Sequence, residues 1–146
     1  ILILILILLN SCGYQPLYID KKNTNIKFNE ISFEGNQNLG RELSSRLFLE
    51  EITSDKKLDK LIIKSKIGKL EASKNSKGHV TAYRIFVEVN LIIEDKENKK
   101  IRDKLFTKDF IYNVDDDKFK SSEYQREIEN NLINQIVEEA ILYFSL

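Results

Sequence analysis

The chain has 146 residues, the size of a single domain, and its 23 basic residues are balanced by 23 acidic residues. A net charge of zero gives no electrostatic reason to expect nucleic-acid binding. A single cysteine excludes an internal disulfide bond and a zinc site built from several cysteines.

The first element is an apolar run from Ile1 to Leu9, and the only cysteine, Cys12, follows closely behind it. The run is too short for a transmembrane helix, which needs roughly 20 apolar residues, and it lacks the polar alternation of an amphipathic strand. It fits the apolar core of a secretory signal, although a basic segment and a methionine are missing ahead of it. We therefore expect that the true start lies upstream and that residues 1–11 are the remnant of a lipoprotein signal peptide.

The residues at the end of this run predict a lipid anchor. Leu9-Asn10-Ser11-Cys12 resembles a bacterial lipobox, whose cysteine carries diacylglycerol on sulfur and an acyl chain on its amine. Asn10 departs from the small residue that is more usual there, and the alternative reading of Cys12 is a buried free thiol. Two or more chains anchor a protein stably, at about 0.8 kcal/mol per buried CH₂. We expect no cofactor beyond these chains, and residues 12–25 form the lipidated, extended leader.

Residues 26–146 are predicted to form one domain, from the spacing of their apolar residues. Alternating apolar and polar residues predict strands, and apolar residues that recur every three or four positions predict amphipathic helices. The predicted strands cover 26–33, 57–72, 80–94 and 101–113, and the predicted helices cover 38–53 and 122–144. Asn38 is expected to cap the first helix, and Ser122 with Gln125 to form a capping box for the second.

The order β-α-β-β-β-α predicts an α+β fold. Two amphipathic helices need a surface on which to bury their apolar stripes, and one face of a four-stranded mixed sheet supplies it, giving a two-layer sandwich. The initial strand-helix-strand unit favours a parallel pairing with a right-handed crossover. Strands 80–94 and 101–113 form a long hairpin. Since fifteen strand residues reach about 50 Å, either a bulge breaks this hairpin or it projects.

Two stretches resemble a known family. The seven residues 12–18, CGYQPLY, are similar to the CGF-x-PLY start of the lipopolysaccharide-assembly lipoproteins of the LptE family in their alphaproteobacterial form. Residues 81–95, TAYRIFVEVNLIIED, are similar to that family's central strand, and the order of elements matches. The resemblance implies that residues 26–146 form a single LptE-like domain.

The resemblance implies a function without catalysis. Members of the family are lipid-anchored in the outer membrane on its periplasmic side. They plug the LptD β-barrel, help it to assemble, and assist the transport of lipopolysaccharide to the outer leaflet. Gly13 stands where an aspartate would retain an enteric lipoprotein in the inner membrane, which suits the outer-membrane address. The alternative is a periplasm-facing lipoprotein that binds a lipid or peptide by itself. That alternative predicts an apolar cavity between sheet and helices, whereas a plug predicts a filled core.

The remaining candidate site residues are basic. Lipopolysaccharide carries phosphates, and four cations near the predicted hairpin loop could hold them: Lys96, Lys99, Lys100 and Arg102. The alternative is a solvated loop. The only histidine, His79, lies in a turn, and Asp115 to Asp117 lack the spacing of a calcium-binding EF-hand loop. We therefore predict neither catalytic residues nor a metal site.

Overall fold

The computed structural model describes residues 25–114 and 118–145. The elements are β1 (Ile26–Phe28), β2 (Glu30–Gly35), α1 (Gln37–Arg46), β3 (Leu49–Glu51), β4 (Lys60–Lys74), β5 (Val80–Glu94), β6 (Lys100–Asn113) and α2 (Lys118–Ser145). The predictions for the signal remnant, the leader with Cys12, and Asp115 to Asp117 lie outside the described residues.

The main sheet has the strand order β2-β4-β5-β6. β2 pairs with β4 in parallel, and the other two pairings are antiparallel, so the predicted mixed four-stranded sheet is confirmed. β5 and β6 pair in unbroken register from Ala82 to Ile93, and the register shifts only at the base of the hairpin, between Ile93 and Glu94. The bulge that the strand length suggested therefore lies beside the hairpin loop, not along the strands.

The predicted first strand is divided at Asn29. β1 pairs in parallel with β3 in a separate two-stranded sheet, whereas β2 joins the main sheet. The Asn29 side-chain amide donates to the Asp55 carbonyl oxygen at 3.1 Å, and its backbone N–H donates to the Asp59 carbonyl oxygen at 2.8 Å. These bonds hold the chain where it passes from one sheet to the other.

The first helix is shorter than predicted. α1 ends at Arg46, so the prediction that the helix continues to Thr53 is wrong. Phe48 has a φ of 54°, a left-handed conformation that a helix does not continue through, and the next three residues form β3 against β1. The N-cap is Asn36, two residues before the predicted Asn38: Asn36 Oδ1 accepts the backbone N–H of Leu39 at 3.1 Å.

The second helix begins earlier than predicted. α2 starts at Lys118, so Ser122 is an exposed residue inside the helix and the predicted capping box is wrong. Serine in an exposed helical position costs only about 0.5 kcal/mol relative to alanine, so the helix extends through it.

Both helices cover the same face of the main sheet, as predicted, and the two-layer α+β architecture is confirmed. One continuous cluster of buried apolar side chains fills the space between the layers. It includes Leu39 and Leu43 of α1, Leu61 and Ile63 of β4, Ile85, Val87, Val89 and Leu91 of β5, Phe106 of β6, and Ile128, Leu132 and Ile136 of α2. Among residues 25–114 and 118–145, no helix covers the opposite face of the sheet, which we call the helix-free face.

Candidate functional site

The β5–β6 hairpin loop is shaped by an aspartate rather than by its lysines. Asp95 Oδ1 accepts the backbone N–H groups of Glu97 and Lys99, each at 2.9 Å. Asn98 takes a φ of 61°, and its side-chain oxygen accepts a hydrogen bond from Lys60 Nζ at 2.9 Å. Short polar side chains that bond to nearby backbone groups favour such turns. Lys96 and Lys99 are therefore exposed on a loop whose shape does not depend on their ammonium groups.

The structure does not gather the four predicted cations into one cluster. Lys96 and Lys99 lie in the loop, and Lys100 Nζ pairs with Asp103 Oδ2 at 2.7 Å on the helix-free side. Arg102 lies on the opposite side of β6, with its guanidinium carbon 5.9 Å from the ring centroid of Tyr143 in α2. The hydrogen bond from Lys100 lowers the pKa of Asp103, and a weaker one from Asn90 acts in the same direction. Lys100 thus has an anionic partner, whereas Arg102 has no ion-pair partner among the described residues and lies beside an aromatic ring.

Arg102 also borders a surface depression of about 400 Å³ at this end of the molecule. Its lining residues are six apolar and four charged: Ile26, Phe28, Leu58, Ile93, Ile101 and Phe144, with Lys27, Lys57, Asp59 and Arg102. Apolar residues beside an excess of cations suit a ligand that joins hydrocarbon to an anionic group. No local sequence pattern marks Lys27 and Lys57 as site residues, because β1 and the loop before β4 bring them here from distant positions.

The helix-free face is neutralised by cross-strand ion pairs. Lys64 of β4 pairs with Glu34 of β2 at 2.9 Å, and Arg84 of β5 pairs with Asp109 of β6 at 2.9 Å. The ion pair and hydrogen bond from Arg84 lower the pKa of Asp109. At the centre of this face, a shallow depression of about 270 Å³ lies beside Asn90. Within the part of the chain that the structure describes, the Oδ1 atom of Asn90 is buried without a hydrogen-bond partner.

Over the described residues, the space between the sheet and the helices is filled by apolar side chains. The depressions at Arg102 and Asn90, and a third of about 180 Å³ between β6 and α2, open at the surface, and the space between the layers is occupied by the core. Over residues 25–114 and 118–145, no helix is long and apolar enough to cross a membrane. His79 is exposed in the β4–β5 turn, where its backbone N–H donates to Asn75 Oδ1 at 3.0 Å.

The α+β fold of this chain is also found in solved structures of bacterial lipoproteins. No family model and no curated protein matches the sequence. Among solved structures, rare lipoprotein B from Shewanella oneidensis is similar, with a TM-score of 0.60 and 12% identity over 80% of this chain and 93% of that one.

Two further solved structures show the same likeness. A minor lipoprotein from Acinetobacter baumannii has a TM-score of 0.56 and 15% identity over 80% of this chain and 90% of that one. Lipoprotein B from Nitrosomonas europaea has a TM-score of 0.56 and 12% identity over 80% of this chain and 79% of that one. At these identities the likeness establishes a shared fold.

Proposed function

We propose that the protein is an outer-membrane lipoprotein that plugs an LptD-like β-barrel, helps it to assemble, and assists lipopolysaccharide transport to the outer leaflet. The fold shared with bacterial lipoproteins over 80% of the chain is the main support. The lipobox-like Leu9 to Cys12 and the LptE-like CGYQPLY stretch stand directly ahead of that domain. The protein acts by binding, without catalysis and without a cofactor other than the lipid on Cys12.

The surface of the domain supports a role as a plug. The lumen of a large outer-membrane barrel is polar, so an occupant needs a hydrophilic surface and a core filled by its own side chains. The paired charges of the helix-free face, such as Lys64 with Glu34, and a content of 32% charged residues of both signs support this requirement. The domain is tethered to the periplasmic side of the outer membrane by the chains on Cys12.

Lipopolysaccharide is the proposed ligand of the hairpin end. Its phosphates would contact Lys96 and Lys99 in the loop and Arg102 at the depression, whereas Lys100 is already paired with Asp103. The same depression favours a second candidate function, in which the lipoprotein binds an acylated anion without any barrel.

Isolation from detergent-solubilised outer membranes separates these two functions. Co-purification of one large β-barrel protein at equal stoichiometry supports the plug, and recovery of the lipoprotein without a barrel rejects it. Radioactive palmitate supplied to the cells should label the wild type and Ser11→Ala, which keeps a small residue before the cysteine. The label should be absent from Cys12→Ser, and a labelled Cys12→Ser protein would contradict the anchor.

Charge reversal in the loop tests the ligand contact. We expect Lys99→Glu to weaken lipopolysaccharide binding about five- to tenfold, because an attractive charge becomes a repulsive one. The matched control is Lys77→Glu in the β4–β5 turn, which has the same side-chain-to-backbone bonding through Asn75 but lies at the other end of β5. Equal weakening by both variants would show that only overall charge matters and would remove the loop from the site.

A further inference from the structure

β6 is an open edge of the main sheet. It is the last strand in the order β2-β4-β5-β6, and no described residue pairs with its outer side. The backbone N–H of Val114 donates to the Thr81 carbonyl oxygen at 3.0 Å, which makes these two residues a hydrogen-bonded pair of the ladder. Because such pairs alternate in antiparallel ladders, the even-numbered residues of β6 bond to β5. The odd-numbered residues direct their backbone groups outward: Asp103, Leu105, Thr107, Asp109 and Ile111.

This edge lacks three of the usual protections against strand addition. Exposed edges are commonly blocked by proline, by bulges, by short strand length or by charged side chains, and of these only charged side chains, such as Lys104, are present on β6 from Arg102 to Asn113. β6 has fourteen residues, contains no proline, and keeps unbroken register with β5 from Arg102 to Asn113. Leu105 and Ile111 point to the helix-free side and are 60% and 57% exposed. The strand therefore presents unpaired backbone groups next to apolar side chains.

The two sides of β6 differ in charge. On the helix-free side, Asp103 and Asp109 are neutralised by Lys100 and Arg84. The helix side carries three cations at even-numbered positions of β6: Arg102, Lys104 and Lys108. Lys108 pairs with Glu139 of α2, whereas Arg102 and Lys104 lie 5.9 and 5.8 Å from aromatic ring centroids. Within the described ranges these last two residues make no ion pair.

We propose that the free edge of β6 binds an extended segment of a partner protein in which carboxylate and apolar residues alternate. The segment adds a fifth strand to the sheet through the outward backbone groups. Its carboxylates face Arg102 and Lys104, and its apolar side chains cover Leu105 and Ile111, because cross-strand neighbours share one side of a sheet. The added strand does not use the hairpin loop, and Arg102 is the one residue that it shares with the depression. Binding of a peptide to this edge can therefore be tested without lipopolysaccharide and without a barrel.

The test uses a fluorescent ten-residue peptide of alternating glutamate and valine, with a lysine–valine peptide as the charge control. Thr107→Pro removes an outward N–H but no bond to β5, and proline is tolerated at such edge positions. Thr107→Val also loses the hydroxyl but keeps the N–H. We expect fluorescence anisotropy to show binding by the wild type and Thr107→Val. Binding by Thr107→Pro should be about tenfold weaker, because an inter-strand hydrogen bond is lost and the ring hinders the added strand.

Amide hydrogen exchange of the wild type gives a second readout that does not depend on the proline variant folding. Peptide binding should slow exchange at the N–H groups of Leu105, Thr107 and Asp109. Exchange at Phe106 and Lys108, which already bond to β5, should change little. Failure of the acidic peptide to bind, equal binding of the lysine peptide, or slowed exchange without this alternation would each overturn the proposal.

Discussion

Gly35 is the last residue of β2, just ahead of α1, and an added methyl group there is expected to destabilise the fold strongly. Its φ is 76°, and a Cβ atom there would lie 2.3 Å from the backbone oxygen of Ser65 in β4. The left-handed conformation costs a non-glycine residue about 1–2 kcal/mol, and forcing a packed backbone apart costs about 1–3 kcal/mol more. We therefore expect Gly35→Ala to lower the free energy of unfolding by roughly 2–5 kcal/mol.

Gly78 supplies the matched control, since it shares the conformation but not the crowding. Its φ is 82°, and an added Cβ would meet no atom within 4 Å. Gly78→Ala should cost only the conformational part, about 1–2 kcal/mol. Urea unfolding followed by far-ultraviolet circular dichroism measures both losses from the shift of the midpoint. If Gly35→Ala were no more destabilising than Gly78→Ala, the contact with Ser65 would not limit the site and the reasoning would be refuted.

Two other predictions concern the core. Ile136 of α2 is fully buried, so Ile136→Ala should lower the free energy of unfolding, measured in urea, by about 2–5 kcal/mol. Leu142→Ala, at a residue that is 53% exposed, should lower it far less. Similar losses in the two variants would contradict the observed packing of α2. Burial raises the pKa of Tyr112 above the value near 10 that it has in the unfolded chain. The neutral side chain therefore stabilises the fold fully below pH 10. This contribution is lost as the pH rises through the higher pKa of the folded state. Tyr112→Phe should therefore lose less stability than the wild type as the pH rises above about 10, and parallel pH profiles would refute this.

The sequence predicted elements best where one face of an element is strictly buried. β5 matches its predicted bounds because apolar residues at every second position, such as Val87 and Leu91, allow only one register. The end of α1 was mispredicted because Leu47 and Ile52 continue a helical spacing, whereas pairing of β3 with β1 decides the local conformation. That pairing joins residues more than twenty positions apart, which periodicity cannot detect.

For the candidate site, too, the sequence predicted the local part and missed the part that distant residues form. The hairpin loop with Lys96 and Lys99 is local, so turn residues in the sequence were enough to find it. The depression beside Arg102 was not predictable, since Lys27 and Lys57 reach it only through the folding of β1 and the loop before β4. The charge neutralisation of Lys100 by Asp103 also depends on the register shift at the base of the hairpin.

The separation of β1 from the main sheet has a mechanical consequence. Tension applied to the chain at Asn25 reaches the small β1–β3 ladder first, and that ladder contains only three residue pairs, from Ile26–Leu49 to Phe28–Glu51. The bonds of Asn29 come next, and β2 is held behind them by six pairs with β4. Pulling on the amino-terminal side would thus detach the short strand while the large sheet and its helices stay folded, which would lengthen the connection by a few residues and limit the force that reaches the rest of the domain.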